Sequence, residues 1–299
     1  MFMETGPASD VFDNSARSYS HMEVRPHAAA MGAELVGVDV ARLSDTGIAE
    51  LKDALFRHKM IFLRDQQLTD DQHLEFTSRL GPVGTDPYAS PTDPQRFVTP
   101  VIKEADERPP FVFGGGWHTD SAFMAQPPAI TTLRAVEVPP YGGDTLWANA
   151  ALAYRALSRP MREFLAGQRI HMSSKVFLDK YPDLHEVSKG YTDGATKEQA
   201  LVGTSHPLIR THPETGEKAI YISMGYAPTI EGMTEAESLN LATFLFAHIT
   251  QHAFTVRLKW EEGMLALWDN RLCLHVAMND YDGYRREMHR TMVAGESPA

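Results

Sequence analysis

The chain has 299 residues, 43% hydrophobic and 22% charged, the make-up of an ordinary globular protein at the upper size range of one catalytic domain. Its 39 acidic and 28 basic residues give a net charge of -11, which excludes an extended nucleic-acid surface, because phosphate binding needs clustered Lys and Arg. The single cysteine, Cys273, excludes an intrachain disulfide and a Cys-rich zinc site, and no apolar run reaches the roughly 18 residues needed to span a bilayer.

These features lead us to expect a cytoplasmic protein with neither nucleic acid nor membrane as partner. Residues 1–21 are polar, lack the basic-then-apolar pattern of a signal peptide, and read as a flexible leader. Residues 22–299 are expected to form a single domain. Within it, "MGAELVGVDV" alternates as a strand does, and "LSDTGIAELKDALFRHK" offers a Ser/Asp cap before apolar residues at helical spacing. "MIFLRDQ" is consistent with a buried strand, and "LTDDQHLEFTSRLG" repeats the recipe of cap, amphipathic helix and glycine stop. Residues 81–116 lose periodicity and gather prolines, which predicts a long loop, a lid candidate, interrupted by a strand around "RFVTPVIKE". "AITTLRAVEV" and "GGDTLWANA" are predicted strands; "NAALAYRALSRPMREFLAG" is predicted as helical segments broken at its proline. Residues 173–203 are polar and weakly periodic, the second lid candidate. A hairpin around "ETGE", a helix over "TEAESLNLATFLFAHITQ", and strands "FTVRLKW", "MLALWDN" and "HRTMVAG" complete the chain, which has no internal repeat.

His118 and Asp120 stand two apart in "GGGWHTDSAF". The spacing alone is weak, since His21/Glu23, His73/Glu75 and His212/Glu214 share it. On an extended segment, however, residues i and i+2 project to one face, so an imidazole and a carboxylate can close on one metal. The preceding glycines let the backbone turn sharply; a plain structural turn remains the alternative. A two-His-one-carboxylate triad needs a third ligand, and His275 is the candidate. Beyond it, Arg286 and Arg290 form a cationic fork suited to a carboxylate or another oxyanion, or else a solvated face.

"WHTDSAF", "PPYGGDTLW", "HPLIRTHPETGEKAIYIS", "FLFAHIT" and "WDNRLCLHVAMNDYDGYRREMHR" occur in that order, and together they resemble the Fe(II)- and 2-oxoglutarate-dependent dioxygenases that include taurine dioxygenase, alkylsulfatase and the phenoxyalkanoate-herbicide dioxygenases. The resemblance runs from about Met22 to the C-terminus. It implies that His118, Asp120 and His275 are the iron ligands, and that Thr145 and Arg286 hold the distal carboxylate of 2-oxoglutarate. Arg290 matches the arginine that meets the anionic end of the prime substrate, or helps hold the cosubstrate in some relatives. Ser121 matches a position whose backbone amide faces the substrate. The implied reaction consumes 2-oxoglutarate and O2, releases succinate and carbon dioxide, and hydroxylates a positioned carbon. Where that carbon bears a heteroatom, the product collapses to a carbonyl and a released fragment.

The chain departs from taurine dioxygenase at the substrate end. Asp86 stands at or near the place of a histidine and Tyr88 close to that of a tyrosine, so that an aspartate there is expected to repel a sulfonate or to greet a cationic amine. Gly114 replaces an asparagine, implying a roomier mouth, which Phe113, Phe123, Phe177 and Tyr226 are placed to line. A small organic anion of the aryloxyalkanoate, sulfonate or sulfate-ester type is the expected substrate. The resemblance implies an α+β fold, with a double-stranded β-helix, a cupin-like jelly-roll, as core, flanking helices and long lid loops. Relatives form dimers and tetramers, so a homo-oligomer is expected. The rival readings are taurine or alkylsulfonate dioxygenase proper, a cupin-like metal isomerase or lyase, and a binding protein without turnover.

Overall fold

The computed structural model describes residues 12–86, 97–108, 114–175, 194–226 and 228–299, with backbone only for 194–197. Caps written in the sequence start its main helices. Ser44 accepts the Gly47 N–H ahead of the helix Asp45–His58, and capping boxes Thr69/Gln72 and Thr234/Glu237 open Asp70–Leu80 and Glu235–Ile249.

The larger sheet runs in the order Glu23–Pro26, Ala33–Val36, Met60–Leu63, Leu265–Asp269, Ile130–Glu137, Arg286–Val293 and Val83–Gly84, with Thr99–Lys103 also on Arg286–Val293. Among these pairings only Ala33–Val36 with Met60–Leu63 is parallel. A three-stranded antiparallel sheet carries Thr145–Asn149 between Thr255–Leu258 and Cys273–Ala277. Strand period divides the core. Ile61, Leu63, Leu265 and Leu267 pack with Leu51, Leu55 and Phe76 of the first two helices; Met60, Phe62, Leu133, Ala266 and Trp268 join Trp147, Ala148 and Leu274 of the smaller sheet. The result is a mixed α and β fold in which the larger sheet has helices on one face and the second sheet on the other.

The turn between Leu265–Asp269 and Cys273–Ala277 passes from one sheet to the other. Buried Asp269 braces it, accepting two hydrogen bonds from the Arg271 guanidinium (2.8 and 2.7 Å) and one from His212 Nε2 (2.9 Å). Since His212 Nδ1 accepts the amides of Glu214 and Thr215, its proton sits on Nε2.

Several expectations change. Of the leader, residues 12–21 are docked: Asn14 donates to Ala28 O and Gly32 O, and Arg17 and Tyr19 both meet Asp53. The strand expected around "RFVTPVIKE" within the 81–116 lid candidate is present as Thr99–Lys103, and it pairs along the strand bearing Arg286 and Arg290. Part of 173–203 is the helix Gly194–Val202. The helical break falls at Leu157–Ser158, and Pro160 opens the second helix, where its missing N–H costs nothing. Arg169–Met172, Thr204–Pro207 and Thr229–Ile230 form a further sheet that their short, non-alternating sequences did not announce.

Two buried histidines give the fold a pH dependence. Burial, then the Arg57 and Lys59 charges, push His58 down to about 4. Burial, then Arg134, push His73 down to about 3. Both ordinarily titrate near 6.5. The unfolded chain therefore binds protons that the folded chain refuses: stability is full above pH 6.5 and drains as pH falls toward 4. For His73 the slope is up to about 1.4 kcal/mol per pH unit. We expect a lower urea midpoint at pH 5 than at pH 7; an equal or higher one would contradict the assignment.

Candidate active site

His118 lies on the edge of Cys273–Ala277 opposite Thr145–Asn149. Its N–H donates to His275 O (2.9 Å), and the His275 N–H donates back to His118 O (2.7 Å). Residues paired directly across antiparallel backbone point their side chains the same way, and the two rings lie with centroids 4.2 Å apart. Asp120, two positions along, brings Oδ1 to 3.6 Å from His118 Nε2 and 3.7 Å from His275 Nε2. One ligand atom from each residue falls within 4.8 Å of the others. Donor atoms sit about 2.0–2.2 Å from a small divalent metal, so this spacing lets one ion contact all three.

The surroundings aim these donors. Gly116 O accepts from His118 Nδ1 (2.7 Å), which leaves the Nε2 lone pair toward Asp120. Asp120 Oδ2 accepts from the Thr131 hydroxyl (2.6 Å), turning Oδ1 to the histidines. Asn270 donates to Thr131 and accepts from Trp268 Nε1, and the Trp268 ring lies against His275 at 4.7 Å. Burial alone would raise the Asp120 carboxyl, but His275, His118 and Arg290 outweigh it and hold it ionised well below the carboxylate range. Burial, then His118, push His275 down to about 3, keeping it neutral as a ligand must be. Gly114, at φ +76°, approaches so closely that a Cβ there would lie 3.3 Å from His118 Cε1.

On Arg286–Val293, Arg286, Met288 and Arg290 are the inward residues. Arg286 is 6% exposed, yet its Nε and Nη2 have no protein partner among the described residues. Its burial pushes its pKa down, with Tyr281 and Asp144 opposing. The 142–145 turn packs on it: a Cβ on Gly143 would lie 3.1 Å from Arg286 Cδ. Thr145 Oγ1, buried, accepts from Trp260 Nε1 (2.9 Å) and keeps its own hydrogen to donate. An orphaned buried guanidinium calls for an anion, and a carboxylate matches its fork. The residues present thus fit both a metal ion and an anionic chelator.

Arg290 sits differently. Its Nη2 pairs with Asp86 Oδ2, and its Nη1 lies 4.0 Å from Asp120 Oδ1. Asp86, expected to repel a sulfonate or to greet a cationic amine, lies paired with Arg290. The Ser121 amide, expected to face substrate, donates instead to the Tyr226 hydroxyl (3.2 Å), and Ser121 takes φ +46° to do so. Phe123, expected to line the pocket, is fully buried core packed edge-on against Tyr226. Tyr88, Phe113 and Phe177 lie outside the described residues. Sequence reading passed over Thr131 and Asn270, whose roles arise from contacts between separate segments, and over the Gly116 carbonyl, which meets His118 two residues on. It also passed over Lys103, paired in register with Arg286, its buried Nζ 4.4 Å from the Tyr281 ring centroid and 3.6 Å from Asp282.

Comparison with known proteins agrees with this geometry. The family model described as "Taurine catabolism dioxygenase TauD, TfdA family" matches residues 23–292. An alpha-ketoglutarate-dependent sulfate ester dioxygenase of Pseudomonas putida is 35% identical over 93% of this chain and 91% of its own. The alpha-ketoglutarate-dependent 2,4-dichlorophenoxyacetate dioxygenase of Cupriavidus pinatubonensis is 30% identical over 90% and 95%. A crystal structure of a taurine dioxygenase from Burkholderia xenovorans superimposes with a TM-score of 0.78 at 36% identity, covering 94% of this chain and 93% of that one. The chain therefore belongs to the TauD, TfdA family and is an Fe(II)- and 2-oxoglutarate-dependent dioxygenase.

Proposed function

We propose that His118, Asp120 and His275 hold the iron, that Arg286 with Thr145 anchors the distal carboxylate of 2-oxoglutarate, and that Arg290 meets the prime substrate. The observation carrying this reading is Arg286, a buried cation with two donors unpartnered among the described residues, on the same strand face four residues before the arginine that reaches Asp120. Bound Fe(II) supplies O2 activation, coupling 2-oxoglutarate decarboxylation to substrate oxidation. The chain's own part is to orient and to exclude water. Thr131 holds Asp120 so that one oxygen faces the metal, Gly116 holds the His118 tautomer, and Trp268 walls the His275 side. Gly114 and Tyr226 border the place where the substrate enters.

The substrate we propose is a small organic anion of the sulfate-ester, sulfonate or aryloxyalkanoate type, with cleavage where the oxidised carbon bears a heteroatom; the names of the relatives support this class. The catalytic unit is residues 22–299, and its core is a double-stranded β-helix, supported by the two facing sheets that share the site. The enzyme is cytoplasmic, in keeping with one free, buried cysteine, and no described helix is long and apolar enough to cross a membrane. It acts as a homo-oligomer, a dimer or tetramer; exposed Leu239 and Phe244 on Glu235–Ile249 support a partner surface.

Anaerobic addition of Fe(II) and then 2-oxoglutarate to the metal-free protein tests the reading. A visible charge-transfer absorption of the metal-bound keto acid is the expected result. Iron binding without that absorption would overturn the assignment of Arg286 and Thr145.

A further inference from the structure

Asn270 is 2% exposed and sits where separate stretches of chain meet. Its backbone binds two of them, the N–H donating to Ala129 O (2.9 Å) and the carbonyl accepting from the Thr119 hydroxyl (2.7 Å). Its side chain belongs to a line of donors. Trp268 Nε1 donates to Asn270 Oδ1 (3.0 Å), Asn270 Nδ2 to Thr131 Oγ1 (2.8 Å), and Thr131 Oγ1 to Asp120 Oδ2 (2.6 Å). Both ends of the line force its direction, because an indole N–H can only donate and an ionised carboxylate can only accept. The indole therefore fixes which way the Asn270 amide faces, and the amide hydrogen on Oγ1 leaves the Thr131 hydroxyl hydrogen to Asp120. Bonds in such a series polarise one another and strengthen together. The Trp268 ring also lies against His275 at 4.7 Å, so the stretch from Trp268 to Asn270 reaches both the His275 and the Asp120 sides of the donor set.

We propose that Asn270 is a positioning residue for the metal: acting through Thr131, it keeps Asp120 a one-oxygen ligand and so preserves the open metal positions that 2-oxoglutarate and O2 require. The proposal rests on the iron assignment above. A carboxylate can bind a metal through one oxygen or through both. Here Oδ1 is the atom near the two histidines, 3.6 and 3.7 Å from their Nε2 atoms, and Oδ2 is held by Thr131. A threonine hydroxyl turns to suit its neighbours. Without the amide on Oγ1 it is free to leave Oδ2, which can then swing to the metal and take a position that the chelator needs. Two histidines and one carboxylate serve this chemistry because the other positions stay open.

The test uses the full chain saturated with Co(II), a stand-in for Fe(II) whose visible absorption changes with its coordination, and titrates 2-oxoglutarate against that absorption. Asn270→Ala and Thr131→Val are each expected to weaken 2-oxoglutarate binding at least about ten-fold, the lower end for losing an outer contact to a metal ligand. Thr131→Ser, which keeps the hydroxyl, should match wild type. Because Asn270 acts through Thr131, the double variant Asn270→Ala/Thr131→Val should bind 2-oxoglutarate no more weakly than Thr131→Val alone. Merely loosened packing would instead lower metal affinity and leave the 2-oxoglutarate affinity of the saturated protein unchanged. That result for Asn270→Ala, losses that add in the double variant, or a Thr131→Ser as weak as Thr131→Val overturns the proposal. A wild type whose Co(II) absorption does not respond to 2-oxoglutarate refutes the underlying site assignment instead. Should Asn270→Ala fail to fold, Trp268→Phe replaces it, since it frees the amide to turn, and a wild-type affinity there overturns the proposal.

Discussion

His118→Ala is expected to lose turnover together with its iron. The side chain supplies one of three protein donors, and its Nε2 is directed by a hydrogen bond that alanine cannot make. Removing a mere orienting contact to a ligand costs roughly 10- to 100-fold in metal affinity or activity, so loss of a ligand itself should exceed that. The protein should remain folded, because the His118 backbone, not its side chain, makes the paired hydrogen bonds to His275. Iron content and succinate production are measured side by side. Full activity at normal iron content would remove His118 from the metal and dissolve the triad.

Arg286→Ala should act on the cosubstrate and leave iron binding intact. In this variant the distal carboxylate of 2-oxoglutarate would enter a buried site without its counter-charge, and breaking a buried charge pair of this kind costs about 2–5 kcal/mol. That corresponds to a weakening of roughly 30-fold or more in Kd, read by titrating 2-oxoglutarate against the keto-acid absorption. Among the described residues Arg286 has no hydrogen-bond partner at Nε or Nη2, and the nearby Asp144 keeps its own pairing with Arg257, so stability should change little. An unchanged 2-oxoglutarate affinity would move the anchoring role to Arg290.

Much of this molecule was legible before any contact was known. Caps at Ser44 and Thr69 with apolar spacing located two of the three longest described helices, and the stretch from Thr234 was legible as the third, because those signals act within one turn of chain. The strands around Ile130, Thr145 and Leu265 were legible from short apolar runs. The metal-binding residues were legible from several motifs agreeing in order, which a lone H-x-D never achieves. Less legible were short strands such as Arg169–Met172, whose identity depends on a partner far away, and the docking of residues 12–21, which a polar composition concealed.

By itself, then, the sequence determined the family and singled out the candidate metal donors and the proposed anion anchor, since those depend on residue identity at particular places in the chain. Only the tertiary structure decided how the charges are shared. Asp86 and Arg290 lie on separate strands' worth of sequence, and nothing local tells whether an aspartate faces a substrate or an arginine. The same holds for Thr131 on Asp120 and for the Ser121 amide on Tyr226. The physical reason is that secondary structure follows from short-range sterics and local hydrogen bonds, whereas the net charge of a buried site is a sum over groups that only packing brings together.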